Sequence, residues 1–105
     1  MKVRVARELV EGRYQVTFQV GDFTSEEVKK MSQFGTPVIT LIRTQNNQNT
    51  RFNAPITQLP QSIAAFPNEG SAKTYEDEVL QQLKTAIDNI RAREDKFTSI
   101  EEIAL

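Results

Sequence analysis

The sequence predicts an α+β domain whose strands and helices follow in the order ββαββα. Three observations predict it. Residues 13–20, Arg-Tyr-Gln-Val-Thr-Phe-Gln-Val, alternate apolar and polar without a miss. A capping box stands at Thr24 and Glu27. A stripe of Val79, Leu80, Leu83, Ala86, Ile87 and Ile90 recurs at helical spacing. Period 2 marks a half-buried strand, and period 3.6 marks a helix with one apolar face. A small antiparallel sheet, with a short first helix and a long C-terminal helix packed on one face, is the simplest assembly of these parts.

The first twenty residues read as a β-hairpin. Tyr14, Val16, Phe18 and Val20 face one way, and Arg13, Gln15, Thr17 and Gln19 the other. Val3 and Val5 alternate with Lys2 and Arg4, but Arg7 breaks the phase before Leu9 and Val10. That break predicts a bulge or an early strand end near Arg7. Glu11-Gly12 supplies the turn. The first helix begins at its box: Thr24 caps it, Glu27 answers three residues later, and Phe23 and Val28 can close a hydrophobic staple. Gly35 ends it in a left-handed conformation, and Pro37 prevents its resumption. About ten residues long, this helix needs something to pack on.

Residues 38–43, Val-Ile-Thr-Leu-Ile-Arg, are apolar on both faces. They predict a central strand covered on both sides, or one whose second face meets another chain. Thr44 to Thr50 encloses a polar loop of Asn and Gln, and residues 51–57 return as a strand that Pro55 confines to an edge. Pro60 and Pro67 predict an irregular stretch over 58–72, from which Ile63, Ala64, Ala65 and Phe66 can still plug the core. The second helix is expected over about 75–94, ~30 Å long, with Thr74 as its cap. The tail carries its own cap signal, Thr98 with Glu101. The predicted organisation is one domain over residues 1–96 and a short tail over 97–105, docked or flexible.

Composition narrows the function classes. The 105 residues can bury ~65% of the unfolded surface, enough for one modest core. Cys and His are absent. That removes disulfides, thiolate nucleophiles, the usual zinc ligands and the commonest neutral-pH base. No nucleotide-binding glycine pattern occurs. The acids Glu26-Glu27, Glu76-Asp77-Glu78 and Glu94-Asp95 are explained by helix dipoles and local pairing rather than by catalysis or metal binding. No cofactor and no metal are therefore expected, and the chain is read as a non-enzyme. The N-terminus lacks an apolar signal core, and no run reaches the ~20 apolar residues that span a bilayer. The expected location is the cytoplasm, with no membrane partner.

Charge is unevenly spread, net +3 over residues 1–68 and −4 over 69–105. Such asymmetry steers partners or favours packing within the chain. The reading that follows is a small, cofactor-free protein-interaction or assembly module, of the kind found among bacterial or phage accessory proteins. Its partner is another protein or a second copy of itself. The candidate interface is Leu83, Ile87 and Ile90 on the long helix with Phe97, Ile100 and Ile103 of the tail, since a long helix and an apolar tail leave surplus surface for a small sheet. The alternative is a nucleic-acid-binding face of Arg4, Arg13, Gln15, Gln19, Arg43 and Arg51, against which the slightly acidic net charge of −1 argues. The second alternative is an enzyme using only Asp, Glu and Lys.

Overall fold

The computed structural model describes residues 1–93. The chain forms β1 (Lys2–Val10), β2 (Arg13–Gly21), α1 (Ser25–Phe34), β3 (Val38–Gln45), β4 (Gln48–Pro55), β5 (Ala64–Phe66) and α2 (Glu69–Ala92). This is the expected α+β class, with one strand more than the sequence shows. The strands make two antiparallel sheets, β1-β2-β5 and β3-β4.

Both hairpins turn in two residues. Glu11 and Gly12 have φ of 50° and 76°, and Asn46 and Asn47 have 51° and 60°. Two successive positive φ angles make a turn whose twist matches the flanking strands. The polar loop expected over 44–50 therefore shrinks to Asn46-Asn47, because Asn tolerates the left-handed region and lets the strands run to its sides. No bulge occurs at Arg7: β1 and β2 pair without interruption from Lys2↔Gly21 to Val10↔Arg13. Arg7 lies opposite Val16 on the core-side face. It is accepted there because Glu76 of α2 meets its guanidinium at 2.8 Å, with Glu69 at 3.7 Å.

The capping box of α1 forms as expected. The Glu27 N–H donates to Thr24 Oγ1 at 3.1 Å, and the Thr24 N–H to Glu27 Oε1 at 2.9 Å. Gly35 closes the helix at φ 93° and ψ 157°, so the φ is positive as expected but the ψ lies outside the left-handed helical region. The stretch 58–72 is more ordered than its prolines imply. Ala64, Ala65 and Phe66 pair with Val16, Gln15 and Tyr14, and α2 starts at Glu69. Asn68, not Thr74, caps α2, accepting the Ser71 N–H at 2.8 Å. Thr74 sits inside the helix, its hydroxyl donating to the Gly70 carbonyl.

The core lies between α2 and the strands. Val79, Leu83 and Ile90 from α2 meet Val16, Phe18, Ile56 and Ala64 in one apolar cluster. Ile39 and Leu41 of β3 are buried on one side and Ile42 on the other, while Val38, on the side of Ile42, is exposed, so the second face is covered only in part. Along its edge away from β4, α2 takes the place of a strand. The Gln82 amide accepts the Thr40 N–H at 2.8 Å and donates to the Thr40 carbonyl at 2.9 Å. The Tyr75 hydroxyl accepts the Ile42 N–H at 2.9 Å. Thr44 then reaches β5, its N–H donating to the Ile63 carbonyl and its hydroxyl accepting the Ala65 N–H. Buried edge amides need such partners, and here they come from a helix instead of a ladder.

Candidate functional site

The residues singled out from the sequence fall in three places. Leu83, Ile87 and Ile90 are 1%, 5% and 0% exposed. The expected overhang of α2 at Ile90 is thus corrected: α1 packs against that end of α2, with Lys30 Nζ donating to the Arg91 carbonyl at 3.0 Å and Arg91 Nε to Glu27 at 3.2 Å. These three side chains fill the core of their own chain and leave nothing for another protein to touch. Phe97, Ile100 and Ile103 lie outside the described residues.

The basic set divides. Arg4, Gln19, Gln15 and Arg13 share the face of the first hairpin turned from α2, with Arg4 directly opposite Gln19. Arg13 donates to the Ala65 carbonyl at 3.3 Å. Arg43 and Arg51 belong to opposite faces of the second hairpin, because Arg51 pairs with Ile42 and Arg43 with Thr50. Arg51 is tied to Glu78 of α2 at 2.8 Å, and Arg43 lies over the Phe52 ring at 5.0 Å. The six residues do not form one surface.

Among the described residues, no three acids converge closely enough to hold a metal ion, and no described helix is long and apolar enough to cross a membrane. A solvent-open groove of about 570 Å³ runs beside Phe18–Asp22, walled by Lys2 and Arg4 on one side and Gln58, Leu59 and Gln61 on the other. It holds neither a buried charge nor a buried polar group left without a partner. Glu27 is the one charged side chain in the core among the described residues, 2% exposed. Burial pushes its carboxyl up, but the Thr24 N–H, the Met1 ammonium at 3.0 Å and the Thr24 hydroxyl outweigh that and hold it at about 2. Its hydrogen bonds cap α1 and tie that helix to β1 and α2, which is a structural duty.

The surface that remains is the outer edge of β1. Its two-residue turn makes Val10 and Arg13 a hydrogen-bonded pair. The even-numbered residues of β1 therefore bond to β2, while Val3, Val5, Arg7 and Leu9 point their N–H and C=O groups away from it. No described strand pairs with that edge. The outer end of the hairpin, residues 6–12, is exposed throughout, with Leu9 at 62% the most exposed large apolar side chain among the described residues. The other unpaired edge among the described strands is β4, whose last residue, Pro55, has no N–H to offer. β1 has neither Pro nor Gly nor bulge along its nine residues.

Sequence reading passed over this edge because Arg7 disguised a continuous strand as a broken one. The signal that could have exposed it was the run itself, nine residues without a breaker ahead of a Glu-Gly turn. No family model, no curated protein and no solved structure matches this chain.

Proposed function

We propose that this chain is a protein-interaction module that docks through the free edge of β1. The observation that carries the reading is a nine-residue edge strand with outward backbone groups, no proline and an exposed Leu9, whereas β4, the other unpaired edge among the described strands, ends on a proline and has no large apolar side chain as exposed as Leu9. Edge strands are ordinarily protected against pairing, and an unprotected one binds an extended segment by adding a strand. The role needs no cofactor and no chemistry beyond hydrogen bonding and apolar contact.

Selection of random peptides on the immobilised chain tests it, with Leu9→Pro as control. The Leu9 N–H points away from β2, so proline removes an outward donor and leaves the hairpin ladder whole. Selected peptides are expected to lose binding to Leu9→Pro and to slow amide exchange at Val3, Val5 and Leu9. Peptides that bind both forms equally, or protect other amides, would sink the reading.

A further inference from the structure

The edge of β1 is complementary to itself. Only even register shifts let its outward groups meet those of an identical, antiparallel strand, since the odd-numbered residues carry them on both sides. In the register that places Ala6 opposite Ala6, all of Lys2–Val10 overlaps. Arg4 then faces Glu8 of the other copy, and Glu8 faces its Arg4. Val3 covers the exposed Leu9 of the other copy, and the outward pairs Val3–Leu9 and Val5–Arg7 exchange the backbone bonds. A shift one way brings Arg7 against Arg7 and breaks both charge pairs. A shift the other way sets Lys2 against Glu8 but shortens the overlap and leaves Leu9 and Val10 without partners in the facing strand. Like charges directly opposite destabilise a strand pair, and opposite charges support it.

We propose that two copies of this chain associate through β1, antiparallel, about a two-fold axis between their Ala6 residues. The result is one continuous six-stranded sheet, β5-β2-β1 of one copy followed by β1-β2-β5 of the other. Closed two-fold pairing uses up the β1 edge of each copy, so pairing through β1 stops at a dimer. It also gives Leu80 a neighbour. Leu80 is 37% exposed and lies four residues beyond Glu76, on the side of α2 that reaches Arg7 of β1. Across the new pair that side of the helix faces its counterpart.

This inference rests on the docking reading of β1 but is tested separately, by charge exchange. Neither Arg4 nor Glu8 makes an ion pair among the described residues, and both are exposed, so substituting them leaves the fold alone. Light-scattering mass is measured over a dilution series. The intact chain is expected to run at twice 12.0 kDa. Arg4→Glu sets carboxylate against carboxylate at both charge pairs of the dimer, and Glu8→Arg sets guanidinium against guanidinium. Each should weaken association at least about tenfold. An equimolar mixture of the two variants should restore it as a heterodimer, and so should the double exchange in one chain. A monomer at every concentration overturns the dimer, and if peptides sensitive to Leu9→Pro are still found, the docking reading stands. A dimer indifferent to Arg4→Glu, Glu8→Arg and Leu9→Pro overturns both.

Discussion

Glu27 shows how much one side chain can hold together. Its two carboxylate oxygens accept from the Met1 amine, the Thr24 N–H and Arg91 Nε, and so join the start of β1, the start of α1 and the end of α2. Its carboxyl is held at about 2 against an ordinary 4.5. A carboxyl depressed in this way stabilises the folded state at neutral pH. Because the folded value lies below the unfolded one, the contribution is complete above pH 4.5 and is lost as pH falls through 2. Chemical denaturation at a series of pH values should show this loss, and Glu27→Gln should flatten it while lowering stability at neutral pH. A Glu27→Gln variant with the same acid profile as the intact chain would place the pH dependence elsewhere. Thr24→Ala should cost about 1 kcal/mol by removing the cap acceptor, read as a shift in denaturant midpoint. The cap was legible in the sequence, since a capping box is a local pattern. The Met1 and Arg91 contacts were not, because they join residues 26 and 64 positions apart.

At the scale of elements, local periodicity located β2, α1, β3 and α2, and failed wherever a distant partner decided the outcome. Arg7 breaks the apolar phase of β1, yet two acids on α2 make an inward arginine acceptable. Gln82 and Tyr75 look like ordinary helix residues until β3 lies beside them. β5 is three residues long and carries no period to detect. The free edge of β1 was hidden by the same Arg7, and Leu83, Ile87 and Ile90 of α2, expected at an interface, are buried in the core. The β3 edge gives this a test. Gln82→Leu keeps the volume but leaves the Thr40 N–H and carbonyl without partners, at a cost of ~1–3 kcal/mol. Amide exchange at Thr40 should accelerate with it. Unchanged exchange would mean that water replaces the amide without penalty. The turn of the first hairpin offers the opposite sign. Glu11 sits at φ 50°, where Asn is better tolerated, so Glu11→Asn should stabilise by up to ~1 kcal/mol, seen as a raised thermal midpoint.

At the scale of the molecule, the opposed charges of the two parts of the sequence find each other inside the chain. Acids of α2 pair with Arg7 of the first hairpin and Arg51 of the second, and Arg91 of α2 pairs with Glu27. The Arg51–Glu78 pair is exposed and contributes little energy, so it guides how α2 lies more than it holds it. What binds the hairpins is Tyr75. Its ring packs edge-on to Phe18 of β2, centroids 5.6 Å apart, and against Phe66 of β5 at 5.3 Å, while its hydroxyl bonds to β3. Thr44 adds a second joint between the sheets. Neither hairpin can bury its apolar face without α2, so the two sheets should unfold together. Calorimetric and van't Hoff enthalpies should therefore agree, both for the intact chain and for Thr44→Val, which removes one joint and leaves Tyr75 in place. Thr44→Val should lower stability by ~1–3 kcal/mol through the unpaired Ala65 N–H, without splitting the transition. Running both in the Arg4→Glu background keeps association out of the measurement. Two resolved transitions would mean that each hairpin folds alone, and that α2 covers the sheets without coupling them.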